Sequence, residues 1–72
     1  MKRRFEFTDE KSNKFWEIAL DGNEQIVHFG RIGTAGQEKR KKFASPAEAQ
    51  QSVTELIAEK TGKGYKEVPP EN

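Results

Sequence analysis

The sequence predicts an α+β domain in which an antiparallel β-sheet of four to five strands carries one amphipathic helix packed on one face. Residues 3–43 contain short apolar alternations with a period of two, separated by glycines and polar runs, which is typical of antiparallel strands. Residues 45–62 then change to helical spacing. Strands followed by one amphipathic helix indicate an α+β fold in which the helix covers a sheet face. Because the chain has only 72 residues, we expect one domain with a modest core, spanning residues 1–68.

Two strands are predicted before the first glycine. Residues 3–8 place Phe5 and Phe7 on one face and polar side chains on the other, which indicates a half-buried strand. Residues 14–20 form the second strand after a polar turn. The face assigned to the core carries Trp16, Ile18 and Leu20, and the opposite face carries Phe15, Glu17 and Ala19.

The next two strands are delimited by glycines. An Asp-Gly pair at 21–22 predicts a hairpin turn, because glycine adopts the positive φ that a tight hairpin requires. Residues 24–32 form the third strand, with Ile26, His28, Gly30 and Ile32 on one side and Val27, Phe29 and Arg31 on the other. After a tight connection at 33–36, residues 37–43 form a polar fourth strand in which only Phe43 clearly belongs to the core. The pattern leaves open which face the helix covers.

The start of the helix is marked by a capping box. Ser45 is predicted as the N-cap, Glu48 as its partner at the third helical position, and Pro46 as the first helical residue. The apolar stripe that faces the sheet consists of Ala49, Val53, Leu56 and Ile57. This spacing places one continuous apolar face on the helix.

The end of the helix is predicted at Gly62, which we assign to the C′ position. Two lysines lie near the negative end of the helix dipole, Lys60 and Lys63. Residues 64–68 either add a short last strand or pack Tyr65 against the sheet. Residues 69–72 are expected to form a frayed tail.

The composition argues against several classes of function. The chain has no cysteine and His28 is its only histidine, so neither a thiolate nor a His-rich metal site is expected. Because nucleophilic catalysis needs a base beside an activated hydroxyl or thiol, we expect a structural His28 and no enzyme activity. The glycines at 30, 33 and 36 lie between two strands and not before a helix, so they predict turns and not a phosphate loop. With no signal peptide or membrane span evident, we expect a cytoplasmic domain without metal or cofactor.

The charges nearly balance but are unevenly distributed. Thirteen basic and 12 acidic residues leave a formal net charge of +1. Residues 37–42 nevertheless hold four bases against one acid. The pattern leaves two interpretations of this basic run open, a nucleic-acid-binding surface or a solvated strand whose lysines protect a sheet edge.

The most informative stretch for function is 29–33, where an aromatic residue and an arginine flank a glycine. By the period of two, Phe29 and Arg31 point to the same face. If that face is open, they form a stacking platform with a phosphate clamp beside it; if the helix covers it, they are partly buried and Arg31 needs a partner. Phe15 is a candidate to share this platform. Gly30, inside the strand pattern, indicates a bulge or a close backbone approach.

Several spaced motifs in the right order resemble those of the WGR domain. They are residues 13–16 at the start of a strand, 29–33 with Gly36 and Gln37, Phe43 with Ser45 before the helix, and 59–62 with Tyr65 at its end. The match covers nearly the whole chain. The WGR domain is named for a Trp-Gly-Arg triplet and is found in DNA-break-sensing poly(ADP-ribose) polymerases and in bacterial proteins related to a molybdate-metabolism regulator. This chain resembles a small bacterial stand-alone form, and Phe29 stands where the family has its tryptophan.

The resemblance implies an antiparallel sheet with one helix and a role in nucleic-acid contact. By position, Phe29 is implied to stack on a terminal nucleotide and Arg31 to supply the cation. Asn13 and Lys14 are implied to contact the backbone. We therefore expect a DNA-binding module, with 5′-phosphorylated ends as candidate ligands; its predicted binding residues are Asn13, Lys14, Phe29, Gly30, Arg31, Lys39 and Lys41. The alternative is a protein–protein interaction module that uses the same face for a partner protein.

Overall fold

The computed structural model of the chain describes residues 1–69 as a five-stranded antiparallel sheet with one helix. In chain order the elements are β1 (Lys2–Thr8), β2 (Asn13–Asp21), β3 (Glu24–Arg31), β4 (Gln37–Lys42), α1 (Pro46–Gly62) and β5 (Lys66–Val68). The predicted α+β class is confirmed. Most of the predicted tail, residues 70–72, lies outside the described residues. Within the described part of the chain, no helix has both the length and the apolar character needed to cross a membrane.

The strand order across the sheet is β4-β3-β2-β1-β5, so the last strand of the chain returns to the free edge of the first. Every neighbouring pair is antiparallel. Arg3 reinforces the β1–β5 edge, because its Nε and Nη2 each donate a hydrogen bond of 2.8 Å to a carboxylate oxygen of Glu67. Two alternatives were predicted for residues 64–68, a short last strand or packing of Tyr65 on the sheet, and both hold. Residues 66–68 form β5, and the ring of Tyr65 packs on that of Phe7 with centroids 5.5 Å apart.

The helix covers the sheet face that contains Trp16. The buried cluster on this face consists of Phe5, Trp16, Ile18 and Val53, and the partly buried residues around it are Leu20, Val27, Phe29, Leu56, Ile57 and Tyr65. Trp16 lies directly opposite Phe29 in the β2–β3 register. Because directly opposite residues of antiparallel strands share a face, Val27, Phe29 and Arg31 belong to the helix side of the sheet.

The helix begins as predicted but ends differently. Ser45 is the N-cap, and its Oγ accepts a hydrogen bond from the backbone N–H of Glu48 at 3.2 Å. The prediction that Gly62 takes the C′ position is wrong, because Gly62 is the last helical residue and Lys63 is the C-cap. The residue with the positive φ is Gly64, at +103°.

A Schellman motif turns the chain after α1. The N–H of Gly64 donates to the carbonyl oxygen of Thr61, and the N–H of Tyr65 donates to that of Lys60, each at 3.1 Å. Glycine at position 64 also allows close packing, because a Cβ there would lie 3.0 Å from Cε2 of Phe7. The turn brings Tyr65 back to the side of the helix that carries Lys60, whose Nζ lies 5.4 Å from the centroid of the tyrosine ring.

Candidate nucleic-acid interface

An open groove lies on the helix side of the sheet, between the C-terminal half of α1 and the strands β3 and β4 at one end of the sheet. It arises because the helix packs on β2 and β3 and leaves β4 uncovered, so that every residue of β4 is exposed. Its volume is about 830 Å³, which is within the range of ligand sites in proteins. The apolar part of its lining consists of Trp16, Val27, Phe29, Leu56 and Tyr65. Phe15, next to Trp16 on β2, also borders the groove.

The lining of the groove is strongly basic. Its charged residues are seven bases, Lys11, Lys14, Arg31, Lys39, Arg40, Lys41 and Lys60, and one acid, Glu59. These residues carry a formal charge of +6, or +5 without Arg40, whose guanidinium lies on the opposite sheet face, whereas the whole chain carries +1. A concave surface with one sign of charge over an apolar floor raises the local concentration of anions.

Six of these seven cations have no ion pair among residues 1–69. Arg40 is the exception, because its guanidinium turns to the opposite sheet face and contacts Glu24 at 3.3 Å and Glu38 at 3.0 Å. The acid in the lining, Glu59, is itself bound by Lys63 at 3.2 Å. The groove therefore presents cations that are available to an anionic ligand.

Five of the predicted binding residues meet in this groove. They are Lys14, Phe29, Arg31, Lys39 and Lys41. The strand register explains the grouping, since Lys14 lies directly opposite Arg31 and all five point to the helix side of the sheet. The ring of Phe29 is half-buried, and Nζ of Lys39 lies 5.5 Å from its centroid. An aromatic ring with several cations around it is thus held by three adjacent strands.

Asn13 and Gly30 also line the groove, but strand alternation directs their side-chain positions to the other face. Gly30 has a packing role of its own, because a Cβ on it would lie 2.8 Å from the Cα of Gly36. The close backbone approach predicted for this glycine is confirmed. That Asn13 and Gly30 contact nucleic acid stays a prediction.

The prediction that Phe15 shares the face of Phe29 is wrong. Phe15 pairs with Gly30 in the β2–β3 register, and successive residues of a strand point to opposite faces. Its ring is covered on the helix-free face by the guanidinium of Arg4, 4.7 Å from the ring centroid, and by the imidazole of His28 at 5.0 Å. At 4% exposure Phe15 is part of the packing of that face and is not available for stacking.

Lys60 lines the groove, although the sequence indicated only a position near the helix dipole. Its Nζ lies 5.6 Å from the ring of Trp16 and 5.4 Å from that of Tyr65. Helical spacing is the signal that could have identified it, since Lys60 follows Val53 by seven residues and Leu56 by four. Lys60 therefore continues the apolar stripe of α1 and places a charge on the helix side of the groove.

On the helix-free face, His28 and Arg4 bind the carboxylate of Glu17. His28 Nδ1 lies 2.9 Å from one carboxylate oxygen, and Arg4 Nη1 donates a hydrogen bond of 3.0 Å to the other. The hydrogen bond to Glu17 and a second one to the carbonyl oxygen of Ala35 raise the pKa of His28. Burial raises the pKa of Glu17, but the hydrogen bonds from His28 and Arg4 and the charge of Lys2 outweigh burial, so that its pKa is lowered.

The side chains of the described residues are suited to binding a ligand. Both ring nitrogens of His28 contact acceptor oxygens, so the imidazole has no free nitrogen to serve as a general base. Among residues 1–69, no group of three His, Cys, Asp or Glu side chains is arranged to hold a metal ion. The groove supplies cations and a partly exposed aromatic ring.

We expect the stability of the fold to decrease as the pH rises through the pKa of His28. Because this pKa is raised in the folded state, the folded chain binds the proton more tightly than the unfolded chain, whose histidine has a pKa of about 6.5. The stabilisation is complete below about pH 6.5 and is lost above the folded-state pKa. Urea denaturation at a series of pH values measures this decrease, and His28→Gln should remove it. An unchanged pH dependence in His28→Gln would contradict the assignment.

Comparison with known proteins finds relatives over the whole length of the chain. The model of the WGR domain family matches residues 1–72. The Escherichia coli (strain K12) "Uncharacterized protein YfeS" is 42% identical over 72 residues, which is 100% of this chain and 30% of that protein. The Escherichia coli (strain K12) protein YehF is 43% identical over 70 residues, which is 97% of this chain and 26% of that protein.

A solved crystal structure of a Bacteroides fragilis protein contains the same fold. It matches with a TM-score of 0.94 and 51% sequence identity, and the match covers 96% of this chain and 20% of that one. This chain thus spans less than a third of the length of each of these three proteins.

Proposed function

Because the chain belongs to the WGR domain family, a family of nucleic-acid-binding-type modules, we propose that it is a non-enzymatic module that binds DNA. The proposed interface is the groove, which contacts the sugar-phosphate backbone or strand ends without reading sequence. The observation that supports this most is the set of unpaired cations around an apolar floor, because phosphates need cations and base faces need flat apolar groups.

The proposed contacts are of two kinds. Arg31 and Lys14, opposite each other on β3 and β2, bind phosphate together with Lys39 and Lys41 of β4. The guanidinium of Arg31 suits bidentate phosphate binding. The exposed part of the Phe29 ring packs on a base or sugar. Since phosphates carry no sequence information, we expect sequence-independent binding that weakens steeply with salt.

Arg31→Ala is expected to weaken binding to a fluorescently labelled blunt duplex about tenfold, because it removes a charge-assisted phosphate contact. Anisotropy titrations across salt concentrations measure the effect. The slope of log affinity against log salt concentration should be near −0.9 for each phosphate neutralised. In the variant its magnitude should be smaller by about 0.9, because one phosphate contact is lost. Lys42→Ala is the matched control, since Lys42 is exposed and lies outside the groove lining.

The same titration separates the proposed function from its alternative. A duplex that carries a 5′-phosphate should be compared with one that lacks it, because a preference for the phosphate identifies strand-end binding. If neither duplex nor a single strand of the same sequence binds even at low salt, DNA binding is wrong. The groove would then be assigned to a protein partner, which would need acidic side chains to match the lining.

A further inference from the structure

The surroundings of Phe29 restrict the kind of DNA that can reach its ring. The ring is half-buried and packs against the core cluster, whereas two residues of β4 on the same face are exposed: Lys39, whose Nζ lies 5.5 Å from the ring centroid, and Lys41 farther along the strand. On the other side of the groove, α1 contributes Leu56 and Lys60 to the lining. The ring therefore lies at the floor of the groove and does not project from a flat surface. The side chains of α1 form one wall of the groove, the helix wall, and the lysines of β4 form the other.

A recessed ring favours an unpaired base over a base pair. The terminal pair of a blunt duplex is as wide as the duplex itself, so it stacks on a ring that projects and not on one between two walls. One unpaired base is smaller, and a groove of about 830 Å³ has room for a nucleotide-sized ligand. Stacking of single-stranded bases on aromatic side chains is worth about 1–3 kcal/mol per base and requires no base pair to be broken.

The distribution of charge also matches a single strand. Lys60 stands on the helix side of the groove and Lys39 and Lys41 stand on the β4 side, and none of the three has an ion pair among residues 1–69. In a single strand, each internal nucleotide has a phosphate before it and another after it. A strand that crosses the groove with its base on Phe29 therefore brings one phosphate toward each wall.

We propose that the groove binds an unpaired DNA strand, free or as an overhang at a duplex end, with a base on Phe29 and phosphates on both walls. Lys60 is the phosphate contact of the helix wall, a role that the family motif does not assign. The proposal rests on the proposed function and adds to it that the DNA in the groove is single-stranded.

Anisotropy titrations at one low salt concentration with three probes test the strand state. The probes are a short single strand, the blunt duplex that contains it, and the same duplex with an unpaired overhang. We expect the single strand and the overhang duplex to bind about tenfold more tightly than the blunt duplex. Equal or tighter binding of the blunt duplex would overturn this proposal and leave the proposed function standing. Failure of all three probes to bind would overturn both.

Lys60→Met tests the helix wall, because it keeps an unbranched side chain beside Trp16 and Tyr65 and removes the charge. We expect about fivefold weaker binding of the single strand and a salt slope smaller by about 0.7. Lys60→Arg keeps the charge and should bind like the unaltered chain. Lys42→Met removes the same charge from the helix-free face and should change little. Thermal melting monitored by circular dichroism verifies that each variant is folded, and equal weakening by Lys60→Met and Lys42→Met would overturn the role of Lys60.

Discussion

Replacing Gly36 by alanine is expected to lower the free energy of unfolding by about 3 kcal/mol. The φ of Gly36 is +70°, a conformation that residues with a Cβ adopt only at a cost. In addition, the new Cβ would lie 2.5 Å from the carbonyl oxygen of Phe29 and 2.8 Å from Cζ of Phe15. Because one of these neighbours is backbone and the other is a buried ring, neither can retreat easily, and steric strain adds to the conformational cost.

Gly33→Ala is the matched control for this substitution. Gly33 has a φ of +95°, but a Cβ there would meet no atom within 4 Å. We therefore expect only the conformational cost, about 1 kcal/mol. Urea denaturation of both variants measures the difference. Equal destabilisation by the two alanines would contradict the close packing of the β3–β4 connection over Phe15.

The double substitution Lys39→Gln and Lys41→Gln is expected to weaken DNA binding about tenfold or more near 0.1 M salt. Both lysines line the groove from β4, and neither has an ion pair among residues 1–69. If each contacts one phosphate, the log–log salt slope should become smaller by about 1.8. Glutamine keeps most of the side-chain length, so the loss reports the charge, and anisotropy titration at several salt concentrations measures it.

A second double variant distinguishes the effect on binding of charges inside the groove from the effect of the net charge of the chain. Lys42→Gln with Lys66→Gln also removes two positive charges, but both residues lie on the helix-free face and outside the groove lining. We expect this variant to retain most of the affinity and most of the salt slope. If the two double variants weaken binding equally, the overall charge of the chain determines binding and the groove does not.

Most of the fold could be predicted because its determinants are local. Period-two alternation identified the four hairpin strands, and Ser45 with Pro46 identified the start of the helix. The end of the helix was misassigned because two glycines lie two positions apart. A Schellman motif favours an apolar residue directly after its glycine. Tyr65 follows Gly64 whereas a lysine follows Gly62, so this rule would have selected the correct glycine.

The face that the helix covers could not be predicted from β3 alone. One side of the strand pattern carries Ile26 and Ile32, and the other carries Val27 and Phe29, so both sides have apolar residues of similar size. The register with β2 determines which side of β3 faces the helix, because it places Phe29 opposite Trp16. Assignment of a face therefore needs the pairing of two strands, which no single alternating pattern contains.

The candidate site was predicted as far as it depends on strand alternation. Phe29 and Arg31 could be grouped because residues two positions apart on a strand point to the same face, whereas Lys14 was named from the family resemblance and its place opposite Arg31 is known only from the register. Phe15 was misplaced because the pattern did not link its face to that of β3. Lys60 was missed because its position depends on how α1 packs on the sheet, which is tertiary information.

A chemical-shift titration of the isotope-labelled chain with an overhang-bearing DNA duplex tests most directly that the groove binds DNA. We expect the shifted amide signals to belong to the groove lining, with the largest changes at Lys14, Phe29, Arg31, Lys39 and Lys60. Signals from the helix-free face, such as those of Arg4, Glu17 and Lys42, should change little. Largest changes on the helix-free face, or no coherent changes at low salt, would contradict the assignment of the groove as the DNA interface.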